Sequence, residues 1–582
     1  MKFKKTIIQP LLGMLDANAK KKGVWIIGLM VFNAMLDFFS LASFLPLIFL
    51  LVNPNSISSN NFINSIYSTF NFTTPAQFFI ASTICVLLFT LVKNIVGIWI
   101  TNSKANYSFT IGSHISSHML SKYLEMSYLR FTQADFSKEF NRIANLPIAF
   151  ANNIIMPLAN LISEGLVFLI LLLCIVVFDS KVFLLLLIVL TPIGLIYRSK
   201  RKQISQTSAD LKEKYPLTLK YALQVVEGFV DIKVSGKESF FKIRFGNTSK
   251  SLAKTFTHEH TTQTGASRLT EIVAGVVICS LIIYSVLTHQ NYQQTLMLLG
   301  VYAGVSFRMI PSLNRILNAF LQIRSHEYLF DELQGSAKDN SSEIQETTGA
   351  LDFRTIELND ISFRYPDGAR ALSHASITIH KGEKIALTGK SGTGKTTLLT
   401  ILLQLIKADT GKILLDGNEL QAENIKSWRN LFAYVPQSPY ILDGTLLENI
   451  AFGLSKEQIN HQKVAQLIAD LDLQKMIDQL PNGLETYIGE KGIRLSGGQR
   501  QRIAIARALY ADAEILLLDE VTNQLDMKSE QEVLQTLEKV ALQNKTIVMI
   551  THHEHIINRF DKILQIENGA ILEKSAPYTL LQ

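Results

Sequence analysis

Six apolar runs, each long enough to cross a hydrocarbon layer as a helix, constrain this chain more than any other feature. They lie near 24–52, 76–101, 154–178, 181–198, 269–288 and 294–322, and a crossing helix needs roughly 17–25 predominantly apolar residues. A composition of 48% hydrophobic against 18% charged over 582 residues fits a chain partly dissolved in lipid. The first run contains Asp37, which costs ~3 kcal/mol near the bilayer centre. It also holds 18 Val, Ile, Leu or Phe residues at ~0.3–0.6 kcal/mol each. The apolar sum wins, and the run inserts.

Loop charges orient the runs. Stretches 53–75 and 289–293 contain no Lys or Arg, and the connection between the third and fourth runs offers only Lys181. By contrast, 102–150 carries Lys104, Lys122, Arg130, Lys138 and Arg142, and 199–268 opens with Lys200, Arg201 and Lys202. Positive loops stay in the cytosol, which predicts both long connections and both termini there, in a multi-pass membrane protein. The net charge of +7 is thereby explained by topology, and nucleic acid is not an expected partner. Cys85, Cys174 and Cys279 fall inside apolar runs without metal-ligand spacing and read as small packed hydrophobes.

Both cytosolic connections keep helical apolar spacing over about fifty residues or more, so transmembrane helices are predicted to continue beyond the membrane and join by short turns. Residues 331–350 are polar and aperiodic, as an interdomain linker is. Beyond them, short apolar runs alternate with helical patterns. The predicted fold class is therefore multidomain: an all-α six-helix transmembrane domain over 1–330, the linker over 331–350, and over 351–582 an α/β domain, which the glycine-rich loop that follows assigns to the P-loop NTPase class.

The sharpest chemical signal is the run Gly389, Lys390, Ser391, Gly392, Thr393, Gly394, Lys395, Thr396 and Thr397, between a strand-like and a helix-like segment. Glycines let backbone N–H groups curl around phosphate oxygens, and the helix N-terminus adds its dipole. Lys395 would reach the β- and γ-phosphates of ATP, and the Thr396 hydroxyl would bind Mg²⁺. Downstream, Ile515-Leu-Leu-Leu ends in Asp519 and Glu520. A buried strand of this kind delivers acids to a sheet edge, Asp519 for the metal and Glu520 for the attacking water. Between them Leu495 is followed by Ser496, Gly497, Gly498 and Gln499 at the start of an amphipathic helix, a second anion-binding device in the same chain.

Leu495–Gln499 is similar to the signature of ATP-binding cassette (ABC) proteins, and the rest of that pattern follows in order. Tyr365 resembles the aromatic that stacks on adenine. Gln437 resembles the glutamine that touches Mg²⁺ and relays to the membrane domain. Thr486–Gly492 is similar to a segment of exporters, and His552 resembles the switch histidine at the γ-phosphate. His553 stands where exporters often carry Arg. Val521-Thr-Asn523-Gln524-Leu-Asp526 departs from the usual Ala-Thr-Ser-Ala-Leu-Asp but keeps its aspartate. The resemblance is to exporter half-transporters, ATPases coupled to transport, and implies a homodimer in which each ATP lies between the P-loop of one copy and the signature of the other. It also implies that turns near 131–141 and 228–240 transmit motion to the bundle.

The substrate is less sharply written. Asp37, Lys93, Glu164, Glu271 and Arg308 stand in or beside the spans, where ionisable residues are candidate functional groups. Asp37, Glu164 and Arg308 are the candidate substrate residues; Glu164 and Glu271 are also possible fixed partners for Arg308. The membrane domain most resembles the lipid-linked oligosaccharide flippases of bacterial protein glycosylation. The likeness rests on the acid before Phe44-Leu-Pro-Leu-Ile, on Arg130–Gln133, and on Arg308–Arg315. It implies a lipid-linked oligosaccharide or other amphipathic lipid drawn from the membrane. Peptide or drug export, and ATP-gated regulation, are the alternatives.

Overall fold

The computed structural model describes residues 16–44, 46–47, 65, 67–70, 72–178, 180–288, 292–334, 351–471, 473–489, 495–523, 525, 527–541 and 544–574. They fall into two compact units.

The first unit is helical, with long helices α1 (Ala17–Ala42), α2 (Pro75–Leu124), α3 (Met156–Phe178), α4 (Ser180–Glu227), α5 (Glu238–Thr288) and α6 (Tyr292–Ser325). Asp16 caps α1 by accepting from the Ala19 N–H at 2.8 Å. Thr74 caps α2, with Pro75 in the first turn where its missing N–H costs nothing. At 1.5 Å per residue the 50 residues of α2 reach ~75 Å, far beyond a hydrocarbon core of ~30 Å. Among the described residues, Ala17–Ala42, Pro75–Leu124 and Phe136–Val177 are long and apolar enough to cross a membrane.

On α2, Ile84, Leu87, Leu88, Leu91, Ile95 and Ile98 are each at least half exposed. So continuous an apolar face is what lipid, not water, would cover. Cys85 on this helix and Cys279 on α5 are also exposed rather than packed; all three cysteines are free. The connection into α3 is helical but interrupted by π turns at Asn141–Asn145 and Ala151–Ile155. Pro147, lacking an N–H, cannot bond the carbonyl of Ile143 four residues earlier. Ser116 on α2 donates its hydroxyl to that carbonyl at 2.6 Å instead. Helix pairs α1–α2, α1–α3, α3–α6, α4–α5 and α5–α6 pack together.

Residues 331–334, assigned to the linker by sequence, end the helix Tyr328–Gln334, and Leu333 is buried with Phe150 and Phe330. A polar composition hid one apolar anchor. The rest of the linker lies outside the described residues.

The second unit gathers the described residues from 351 onward together with Ser127–Thr132, whose Tyr128 and Leu129 pack against its core. It holds a four-stranded antiparallel sheet and a six-stranded, mainly parallel one. The first takes β1 (Thr355–Arg364), β2 (Arg370–His380), β4 (Thr410–Leu415) and β5 (Asn418–Glu419) in the order β2-β1-β4-β5. The second takes β3 (Lys384–Thr388), β6 (Phe432–Val435), β7 (Ile515–Asp519), β8 (Thr546–Ile550), β9 (Lys562–Glu567) and β10 (Ala570–Lys574). Its order is β10-β9-β3-β8-β7-β6. Both β7 and β8 are buried along their whole length, so helices must cover both faces. These include α7 (Lys395–Leu402), α8 (Gly497–Tyr510) and α9 (Met527–Ala541).

Candidate functional site

Register decides which loops of the second unit meet. Ile550 of β8 pairs with Leu387 of β3 on one side and with Asp519 of β7 on the other, and Leu518 pairs with Val435 of β6. The four parallel strands therefore end in one row. Just past that row come the Gly389 loop, His552, Glu520 and Gln437, side by side at the carboxyl edge where α/β sheets bind ligands.

The Gly389–Gly394 loop is shaped by close approach. A Cβ on Gly394 (φ 104°) would sit 2.3 Å from the Ala371 carbonyl oxygen, and one on Gly389 (φ 145°) 2.6 Å from that of Ile566. The buried Lys395 Nζ bonds the carbonyls of Gly389 at 2.8 Å and Lys390 at 2.9 Å. Burial lowers its pKa, while nearby Glu520 and Asp519 act in the other direction. A cation hydrogen-bonded to carbonyls beside a nest of N–H groups fits a polyphosphate. Tyr365 bonds the Thr397 hydroxyl at 3.0 Å, which fixes its position beside this loop.

Asp519 is pushed up in pKa, first by burial; hydrogen bonds from Tyr434 and Thr396 oppose the shift. Tyr434 donates to it at 3.1 Å, and burial raises the pKa of that phenol strongly. Glu520 stands at φ 50°, in the left-handed region, which costs a side-chain-bearing residue ~1–2 kcal/mol. Three side chains converge on its carboxylate: Gln437 donates at 3.1 Å, Asn523 donates at 2.8 Å, and the His552 Nε2 lies at 3.2 Å. Sequence reasoning found two of these; Asn523 was noticed only as a departure from the usual serine. Gln501 of α8 was missed too, and it fixes the Gln437 loop by donating to the Gln437 carbonyl at 2.7 Å. Ser496 and Gln499 form a reciprocal capping box at the start of α8, with bonds of 3.2 and 2.9 Å. Glu490–Gly492, Gln524 and Asp526 lie outside the described residues.

The profile of the ABC transporter family matches residues 372–523, the stretch that carries the loop, the signature helix and both acids. Residues 372–523 are therefore an ABC transporter domain. The heterocyst differentiation ATP-binding protein HepA of Nostoc sp. is 32% identical over 68% of this chain and 65% of HepA. The ATP-dependent lipid A-core flippase of Methylobacillus flagellatus is 34% identical over 54% of the chain and 53% of the flippase. Its counterpart in Chromobacterium violaceum is 31% identical over 60% of each. The chain thus aligns with roughly half to two-thirds of the length of these relatives. A bacterial Atm1-family ABC exporter with ATP bound superposes with a TM-score of 0.80 at 19% identity, covering 96% of both chains. That likeness establishes the fold: a helical exporter membrane domain followed by an ATP-binding cassette.

The first unit holds a cavity with charged walls. Its volume is about 1010 Å³, and it is lined by Asp37, Lys93, Glu164, Arg308 and Arg315, with Phe307 and Pro311 beside them. Asp37, almost fully buried, pairs with Lys93 at 2.8 Å and also with Arg308. Glu164 pairs with Arg315 at 2.7 Å, accepts from Ser312, and lies 3.9 Å from Arg308. The main partner of Arg308 is therefore Asp37, not Glu164 or Glu271 as the sequence suggested. Glu271 is exposed and pairs with its neighbour Arg268 at 3.1 Å. Helix packing, not chain proximity, brings Asp37 to Arg308. Three cations against two carboxylates leave the lining with one surplus positive charge.

Proposed function

We propose that this chain is one half of an ATP-driven exporter or flippase, an ATPase whose turnover moves an amphipathic substrate with an anionic head group out of the cytosolic side of the membrane. The observation that carries the substrate class is the cationic surplus of the cavity among α1, α2, α3 and α6. Arg308 and Arg315 are the side chains best shaped to grip phosphate oxygens in pairs. Pro311 cannot bond the Phe307 carbonyl, which leaves a local gap in the helix at cavity level. Phosphate-bearing lipids, including lipid-linked oligosaccharides, fit this lining better than a neutral drug. Two of the relatives are named for flipping lipid A-core.

At the cassette, the Gly389–Thr397 loop and Lys395 hold the triphosphate. Thr396, Asp519 and Gln437 offer oxygen donors of the kind Mg²⁺ prefers. The ion would neutralise phosphate charge as it develops. Glu520 orients the water, and His552 and Gln437 keep its carboxylate placed. Each chain carries one P-loop and one signature, so two copies complete two sites as a homodimer. Both termini and the cassettes face the cytosol of a bacterial inner membrane.

Arg308→Ala tests the substrate reading. The expected variant assembles and keeps basal ATPase within about twofold. It loses stimulation by vesicles containing a polyprenyl diphosphate, while Arg308→Lys keeps part of it. Equal stimulation of wild type and Arg308→Ala would overturn the anionic-head-group reading. A variant that fails to assemble in both forms would make Arg308 a structural tie to Asp37.

A further inference from the structure

One cluster of metal-ligating side chains lies beside the ATP site and has no part in the account above. Glu530 stands on the first turn of α9 with only 8% of its surface exposed. His553 and His555 follow His552 on the segment after β8. The His555 Nε2 hydrogen-bonds one Glu530 carboxylate oxygen, and the His553 Nδ1 lies 3.6 Å from the other. The two rings stand 5.5 Å apart at 77° to one another. One donor atom from each of the three residues lies within 4.8 Å of the other two.

Two donors on one tetrahedral ion with bonds of ~2.1 Å are about 3.4 Å apart. Small rotamer changes would therefore close the triad. The described partners of this buried carboxylate are imidazoles, not the permanent charge of an arginine, and a dication would supply that charge. Two imidazole nitrogens and one carboxylate oxygen suit Zn²⁺, Co²⁺ or Ni²⁺ and leave a fourth position for water. Mg²⁺ prefers oxygen alone, so the nucleotide's own metal would not fill it.

We propose that Glu530, His553 and His555 bind one transition-metal dication of the zinc type, and that its binding slows ATP turnover. The triad joins two arms that both reach Glu520. One is the segment after β8, where the His552 Nε2 lies 3.2 Å from the Glu520 carboxylate. The other is the loop before α9, where Asn523 donates to the same carboxylate at 2.8 Å. An ion that ties His553 and His555 to α9 fixes the spacing of these arms. Reorganising them during turnover then requires breaking metal–ligand bonds. The regulatory half rests on the ATPase reading; the metal-binding half does not.

The test uses the full-length, untagged protein in detergent, since the chain holds 12 histidines and an affinity tag would add more. Co²⁺ is titrated into metal-stripped protein and visible absorption recorded; ATPase is then measured in saturating Mg²⁺ with increasing Zn²⁺. The expectation is one Co²⁺ per chain with the absorption of a tetrahedral nitrogen–oxygen site, and a fall in turnover of at least fivefold at micromolar Zn²⁺. His555→Ala and Glu530→Gln should each weaken Co²⁺ binding at least tenfold and abolish inhibition, with basal ATPase unchanged without zinc. Binding that survives both substitutions, or no binding below about 100 µM, would overturn the site. Stoichiometric binding at the triad with unaltered turnover would overturn the regulation and keep the site.

Discussion

Glu520 shows how a single carboxylate is held in place by its neighbours. Its backbone is held left-handed, and Gln437, Asn523 and His552 hold the carboxylate from three directions. Asn523 stands where the family resemblance leads one to expect serine, and its side chain donates to the carboxylate. A hydrogen bond to a charged group is worth about 1.5–3 kcal/mol, so Asn523→Ala should lower kcat about tenfold or more. Since Asn523 touches neither the Gly389 loop nor Lys395, ATP affinity should stay within about twofold. Nucleotide binding and steady-state hydrolysis, measured on the same preparation, separate the two. An unchanged kcat would mean that the bond to Asn523 does not position Glu520 during turnover. The main chemical groups were legible because phosphate binding needs contiguous glycines, a lysine and a hydroxyl. Asn523, Tyr434 and Gln501 were not, because strand register and loop packing bring them to the site.

At the scale of elements, the meeting of α5 and α6 carries a proton-sensitive contact. Glu259 on α5 is buried and its pKa is raised to about 7 by that burial. The His326 Nδ1 lies 3.4 Å from it and 3.1 Å from the Gln322 carbonyl, and burial lowers the pKa of this imidazole. Tyr328 nearby is pushed up to about 12, again first by burial. A carboxyl whose folded pKa lies above its unfolded value of about 4.5 contributes stability below that pH. The contribution is lost as pH rises through about 7. The loss is on the order of 3 kcal/mol. His326 acts oppositely, losing stability as pH falls below its ordinary range, so the Glu259 effect is best isolated by difference. Glu259→Gln should flatten the fall in thermal stability between about pH 4.5 and 7 that the wild type shows. Parallel pH profiles for the two proteins would contradict the assignment. The long helices themselves were legible from apolar periodicity. The π turns around Pro147 were not, because their stability depends on Ser116 of another helix accepting the role of donor to a freed carbonyl.

For the whole molecule, apolar runs and loop charge were enough to predict a membrane domain, and the phosphate-binding motifs a cassette in the same chain. The ion pairs among Asp37, Lys93, Glu164, Arg308 and Arg315 needed the packed bundle, since α1 and α6 lie far apart in sequence. The central claim is that two copies of the chain share two ATP sites and that turnover at them drives translocation. Mixed dimers test it directly. Lys395→Ala removes the P-loop cation and Ser496→Arg blocks the signature, at the further cost of about 1 kcal/mol from its lost helix cap. In a mixed dimer both lesions fall in one site and leave the other whole. Proteoliposomes are prepared with each variant alone and with the two co-assembled, and ATP-dependent movement of a fluorescent polyprenyl diphosphate is recorded alongside phosphate release. The account predicts no activity from either variant alone, and hydrolysis with translocation from the mixture at a clear fraction of the wild-type rate. A mixture as inactive as its components, or a single variant as active as the wild type, would contradict it.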